Sequence, residues 1–454
     1  MRNIILVSIC ILYFFTGTHA QSCDCYIQNA DTTFALAPMG LGTDTGGAPY
    51  YRCDNCSSLP IKIPFHFCFY GNEYDTVYIN NKGSLSFIHP VFNFSSTGLP
   101  AGNDTLMLAA FWSDIDNRMV DPFSAIYYSL SPTHLIVQWS TVGYNTFDDD
   151  LYNNFQLTIT NGSDPILPTG NNVAYCYWLM QWASADSSGG IGGFDGIPAT
   201  VGINKGDNIH YAQIGEFNFP GSAYSGPFNP NSGVYWLINK SFIFNTCVSR
   251  DTIPPVIIHT NSCDSIVICA GDTTTFTTSF ICAQKGQTAT LSLSPDSLSG
   301  LTTNVTSANA LYTISIRLIA SLKDTGSYII YAVATDNSYP ALKDSIPYTI
   351  IIKNCDTIRD TGTGINQLSI NNRQSRVYPN PNNGIFTIQA TGEKQNAESN
   401  IDIYNILGEK VYSQSSITHF PLSINLSSQP VGVYFYLLKD EQGNLVGNGK
   451  FAIQ

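Results

Sequence analysis

Charged side chains are scarce in this chain. Asp, Glu, Lys and Arg together make 12% of its 454 residues, about half the roughly 25% of an average soluble protein. Basic residues are scarcer still: 20 Lys and Arg stand against 33 Asp and Glu, for a net charge of −13. No basic run exists to neutralise phosphates, which argues against nucleic acid and anionic membranes as partners. Past the N-terminus no apolar run approaches the ~18 residues of a membrane-crossing helix, so no transmembrane segment is expected in the mature chain. Catalytic signatures are missing too. His66, His89, His134, His210, His259 and His419 are scattered without an HExxH spacing, and there is no G-x-S-x-G elbow or catalytic cysteine pattern. The run SSGGIGGFDG, Ser187 to Gly196, lacks the Gly-Lys-Ser/Thr ending of a phosphate loop and reads as a flexible loop.

What fills the space is aromatic and turn-forming. Phe, Trp and Tyr reach 12%, with 36 Gly and 23 Pro, the profile of a β-rich extracellular protein. A chain this long is expected to divide into two to four cores. Residues 1–20 read as a signal peptide: Arg2 is the basic start, Ile4 to Phe15 the apolar stretch, and Thr18-His19-Ala20 the cleavage site. Twelve cysteines, less Cys10 in that leader, leave eleven. Cys23, Cys25, Cys53, Cys56, Cys68, Cys176 and Cys247 form one group, and Cys263, Cys269, Cys282 and Cys355 a second. The CxC and CxxC spacings would suit zinc in a cytosolic protein, but export makes disulfides the expectation, with pairing left open. The odd total predicts at least one free or intermolecular thiol.

From Leu59 to Asn245 short apolar runs alternate with Gly, Asn, Pro and Ser clusters. Ile61, Ile63, Phe65 and Phe67 keep a period of two, and Asp75 to Ile79 and Ser84 to Ile88 flank the turn Asn80-Asn81-Lys82-Gly83. Leu106 to Asp116 is apolar on both faces and ends in Asp114 and Asp116. Read as alternate positions of a strand, these carboxylates could share a calcium ion or act as an acid and base pair; the expected reading is hydrogen bonding to backbone or to Arg118 in the next turn.

The order of motifs here resembles the extracellular nidogen-like domain. It runs through Asn81 to Phe87, Phe111-Trp112-Ser113-Asp114-Ile115-Asp116, Ala125 to Tyr128, Asn153-Asn154-Phe155-Gln156, Ser188 to Gly196 and Ala199 to Asn204. Ala125, where glycine is common, the acidic insert Asp148-Asp149-Asp150 and the cysteines depart from the pattern. The resemblance implies a non-catalytic, adhesive or matrix-facing module over residues 21–248.

Turn chemistry at Arg250 to Pro255 then marks a boundary. Residues 249–355 carry about six or seven strand-like runs, as in a sandwich, and Asp324-Thr325-Gly326-Ser327-Tyr328 resembles the tyrosine corner of immunoglobulin-like domains. Ile330 stands where their second inter-sheet cysteine would be, so the expectation is an Ig-like or cadherin-like domain. Residues 356–375 read as a linker. Asp-Ser/Thr steps such as Asp75-Thr76-Val77 and Asp344-Ser345-Ile346 resemble the O-glycosylation sequon of exported Bacteroidota proteins.

In VYPNPNNGIFTI, Val377 to Ile388, two prolines cannot continue a helix and Asn-Asn-Gly supplies a tight turn into a strand. Pro379, Asn380, Pro381, Gly384, Tyr404, Gly408, Gly432 and Tyr434 follow the order of the C-terminal sorting domain of type IX secretion cargo from Bacteroidota, which residues 376–454 resemble. That resemblance implies export across the periplasm to the cell exterior through the type IX machinery. The chain is thus expected to be an all-β, multidomain, secreted surface protein for adhesion or extracellular interaction. It is not expected to be an enzyme, and its protein or glycan ligand is unknown. A secreted hydrolase and a structural surface or biofilm component are the alternatives; no cofactor is expected beyond possible calcium at Asp114 and Asp116.

Overall fold

The computed structural model describes residues 34–42, 52–118, 124–144, 151–260, 265–295, 298–355, 375–390, 399–406, 408–417, 420–440 and 445–454. The leader 1–20, Cys23, Cys25, Cys263, the insert 148–150 and residues 356–374 of the linker lie outside them. Among the described residues there is no α-helix, only three 3-10 turns among strands. The chain forms two compact units, Met1–Thr357 and Ile358–Gln454.

Two sheets face each other in the first unit. One has ten strands, and its first six are Ala35–Leu36, Ala125–Leu130, His134–Val142, Asn153–Thr160, Val173–Met180 and Lys240–Phe244. The other has nine, with Met107–Trp112 hydrogen-bonded between Ala199–Asn204 and Ser84–Ser86. Being central in its sheet and covered on both faces explains why MLAAFW is apolar throughout and buried at every position. Between the sheets lies an aromatic core in which Trp139 stacks on Phe155 at 5.0 Å between ring centroids. Tyr175 donates its hydroxyl to Gly202 O at 2.8 Å, and Tyr177 donates to Ala110 O, so phenols of one sheet satisfy carbonyls of the other.

After Arg250–Pro255 the chain turns without leaving the sheet. Val256–Thr260 pairs antiparallel with Lys240–Phe244, placing Ile257 opposite Ile243, and the sheet continues through Thr273–Ile281, Leu311–Ile319 and Leu301–Ala308. The run Val256-Ile257-Ile258 needs no polar face because it is buried on both sides: Val256 and Ile258 join the aromatic core, Ile257 a second one. Full burial of one such side chain contributes roughly 1.5–3 kcal/mol. The second core is closed by a four-stranded sheet of Ser265–Cys269, Lys343–Lys353, Gly326–Asp336 and Ala289–Ser294. The second sandwich is therefore built on the far half of a sheet begun by the first.

Disulfides join Cys53 to Cys56, Cys68 to Cys247 and Cys269 to Cys355, and Cys176 is bonded as well. Cys282 is a free, buried thiol, which burial pushes up to about 12.

The second unit is a sandwich of three strands (Ser375–Tyr378, Ile385–Ala390, Leu422–Asn425) and four (Lys410–Ile417, Ser399–Asn405, Gly432–Asp440, Leu445–Ile453). Phe386 and Phe451 meet at its centre, 4.2 Å between centroids.

Candidate functional site

Three segments of the nidogen-like part converge on one buried polar cluster. The turn Asn81-Lys82-Gly83 is drawn inward because Trp139 Nε1 donates to Asn81 O at 3.2 Å, and Asn81 Nδ2 donates to Cys53 O at 3.1 Å and Asn117 Oδ1 at 3.2 Å. Gly83 takes a φ of +81°, and a Cβ there would stand 2.0 Å from Phe111 O, so only glycine lets the turn lie against the strand. Lys82 is thereby 0% exposed. Its Nζ donates to Asp114 Oδ1 at 2.5 Å, Asp54 Oδ1 at 2.6 Å and Ile115 O at 3.0 Å, with the Phe94 ring 5.5 Å away.

The strand ends at Trp112, so Asp114 and Asp116 lie beyond it, and each has its own cation. The reading as alternate positions of one strand is corrected here: the chain leaves the sheet once its apolar run is spent, and the two carboxylates diverge. Asp114 pairs with Lys82, and its Oδ2 accepts from Ser187 Oγ at 2.6 Å and Ser188 Oγ at 2.9 Å. Asp116 takes Arg118 in a fork, Nε to Oδ1 at 3.0 Å and Nη2 to Oδ2 at 2.7 Å, while the same Nη2 reaches Asp54 Oδ2 at 3.3 Å. Burial raises the proton affinity of Asp54 above that of an ordinary carboxylate, against the lowering effect of Lys82. The glycine-rich run is laced down: Ala183 N and Ser184 N donate to Gly193 O, and Gly196 N donates to Ser184 Oγ. Exposed apolar side chains stand nearby along the chain, Ile191 at 82% and Ile197 and Phe94 at just over 40%.

Sequence reasoning missed Lys82 and Asp54 as members of this cluster. It also missed a second grouping, in which Asp207, His210 and Asp251 bring ligand atoms within 4.8 Å of one another. His210 Nδ1 lies 2.6 Å from Asp207 Oδ2, and Lys205 pairs with both carboxylates, so each already has a cationic partner.

In the second unit the PNPNNG turn is tied to two strands. Asn382 N donates to Ala452 O at 3.0 Å, Gln454 N to Asn382 O at 2.8 Å, and Ala452 N to Asn380 Oδ1 at 2.9 Å, while Leu426 N donates to Gly384 O. Pro379 O accepts from Asn382 Nδ2, and Pro381 lies between the two bonded asparagines. Gly384 sits at φ +92°, with Ser427 Cα 2.5 Å from where a Cβ would be. Tyr404 is the last residue but one of Ser399–Asn405, and Gly408 takes φ +81° in the turn that follows. Gly432 opens the strand in which Tyr434 is buried, with its hydroxyl donating to Pro430 O at 2.6 Å.

The NIDO-related family model matches residues 27–224, and that of the secretion system C-terminal sorting domain matches residues 376–454. The chain carries a NIDO-related domain and a type IX sorting domain. The curated alpha-tectorins of Mus musculus and Homo sapiens are each 25% identical over 194 residues, covering 38% of this chain and 9% of theirs. The chain thus spans about a tenth of the length of those relatives. Among solved structures, the GspB Siglec domain (15% identity, TM-score 0.16, 20% of this chain and 54% of that one) and DIP-gamma IG1+IG2 (12% identity, TM-score 0.14, 42% and 93%) are similar to parts of this chain. The sorting domain implies secretion to the cell surface or the extracellular space, and no helix among the described residues is long and apolar enough to cross a membrane.

Proposed function

We propose that this protein is displayed outside the cell as an adhesion or extracellular-interaction module, working by binding and not by turnover. The observation that carries the reading is the pairing of a NIDO-related domain at 27–224 with a sorting domain at 376–454 in one chain. The geometry supports it. Asp114 and Asp116, the carboxylates best placed for chemistry, are each neutralised by a resident cation, so neither is available as a free base. The loops that carry Phe94, Ile191 and Ile197 leave these side chains exposed, apolar groups of the type that partners bury.

The test sets the purified full chain against matrix proteins, polysaccharides and whole cells, beside a turnover screen on glycans and peptides. Saturable binding weakened by Ile191→Asp with Phe94→Asp supports the proposal. Turnover of any of these substrates without such binding overturns it.

A further inference from the structure

We propose that Lys82 and Asp114 become joined by an intramolecular amide, Lys82 Nζ to Asp114 Cγ, formed inside the folded domain with loss of one water. The two side chains lie 32 positions apart in sequence and are buried together, Lys82 at 0% and Asp114 at 3% exposure. A buried ion pair adds little stability over apolar residues of the same volume. This pair carries additional parts that an ion pair does not need.

The nucleophile is at hand. Nζ touches Asp114 Oδ1 at 2.5 Å, and Cγ is one bond beyond that oxygen, so a small shift of the amine brings it into attack distance. A second carboxylate is also in place: Asp54 Oδ1 is 2.6 Å from the same Nζ, and burial raises its affinity for a proton, which suits it to carry protons between the amine and the leaving oxygen. The other oxygen of Asp114 receives two hydroxyl donors, Ser187 and Ser188. Those donors are pre-aimed at the atom on which negative charge accumulates when Cγ becomes tetrahedral. Arg118 fixes Asp54 from its far side, and the Phe94 ring stands over Nζ.

The step balances without an oxidant or co-reactant. Asp54 removes one proton from the Lys82 ammonium, and the freed lone pair attacks Asp114 Cγ, forming the C–N bond while Oδ2 takes the charge. Asp54 returns its proton to Oδ1, a second Nζ proton follows, the C–Oδ1 bond breaks and water departs. Three N–H and a carboxylate become one N–H, an amide carbonyl and H2O. Amide formation from ammonium and carboxylate is slow and unfavourable between separate molecules in water; holding the partners fixed lowers the barrier, with effective molarities of roughly 10⁵–10⁸ M, and burial withholds the water that would reverse the step.

The experiment is the mass of the full chain, produced without glycosylation, reduced and denatured before measurement, with peptide mapping. Wild type is expected one water lighter than its sequence after reduction, with a branched peptide joining the Lys82 and Asp114 segments. Lys82→Arg and Asp114→Ala are expected at full sequence mass. Because either could impair folding, Asp54→Asn is the second variant: it keeps the hydrogen-bonding shape, should retain a cooperative melt, and is expected unlinked at full mass. A folded wild type at full sequence mass, a branch through Asp54, or a cross-linked Asp54→Asn protein would each overturn the proposal as stated. Loss of adhesion alone bears on none of these readouts.

Discussion

Asn171 donates from Nδ2 to Asp344 Oδ1 at 3.2 Å across 173 positions of sequence, tying the loop before Val173–Met180 to the strand Lys343–Lys353. The remaining oxygens of the pair, Asn171 Oδ1 and Asp344 Oδ2, are buried without a partner. Burial pushes the Asp344 carboxyl up to about 7, outweighing the bonds from Ser345 N and Asn171. A proton on Oδ2 turns that oxygen into a donor, and the amide already bonded to Oδ1 carries a buried acceptor that lacks one.

The sign of the pH effect follows. Unfolded, Asp344 titrates near the ordinary ~3.9; folded, it titrates near 7. Between those values the native state holds more protons, so stability falls as pH rises through the window and the loss is complete above it. Asp344→Asn presents a permanent donor to Asn171 Oδ1. It is expected to raise the Tm at about pH 8 and to flatten the dependence between about pH 5 and 8, as thermal melts at the two values will measure. A variant less stable than wild type at the higher pH contradicts this.

Asp402 behaves in the opposite sense. It is buried, which by itself raises a carboxyl, but Lys410 at 2.9 Å, Ser413 at 2.7 Å and Lys439 at 3.0 Å outweigh burial and hold it well below the ordinary range. The unfolded chain then binds the proton more readily, so stability is present above the ordinary carboxylate range and lost as pH falls below it. Asp402→Asn is expected to cost about 1–3 kcal/mol. Amide hydrogen exchange in Ser399–Asn405 and Gly432–Asp440 reads the loss, which should shrink in acid as wild type loses the same charge.

Gly384→Ala tests the sorting turn. The positive φ and the approach to Ser427 act together, for an expected loss of about 1–3 kcal/mol. Secretion assays should show less protein outside the cell, and deletion of residues 377–454 should leave it in the periplasm. Undiminished surface display of the truncated chain would refute the export reading.

The disulfide Cys68–Cys247 spans 179 positions. Replacing both cysteines by serine is expected to cost roughly 2–5 kcal/mol by freeing the unfolded chain, measured as a lower denaturant midpoint in the absence of reductant.

Local chemistry was legible in the sequence, and long-range pairing was not. The alternation of Ile61, Ile63, Phe65 and Phe67 appears as alternating exposure along Ile61–Phe69, because a strand with one covered face writes its own period. Gly384 was legible because a turn demands positive φ at the position where Asn-Asn-Gly supplies it. Lys82 was not. A lysine at a hairpin tip ordinarily faces water, and what buries this one is Asp54 and Asp114, brought to it by pairings 28 and 32 positions away. The segment Arg250–Pro255 shows the same limit: its prolines announce a change of direction, yet nothing local says that Val256–Thr260 returns to the sheet it left.

The bonds between the PNPNNG turn and the strand Leu445–Ile453 also bear on quality control. Asn380 and Asn382 meet Ala452 and Gln454 only when the intervening strands have assembled. A receptor that grips this junction therefore inspects a shape and not a string. For such a receptor, cargo whose final sandwich has not closed would present no ticket, and readiness and destination would be checked in one act of recognition.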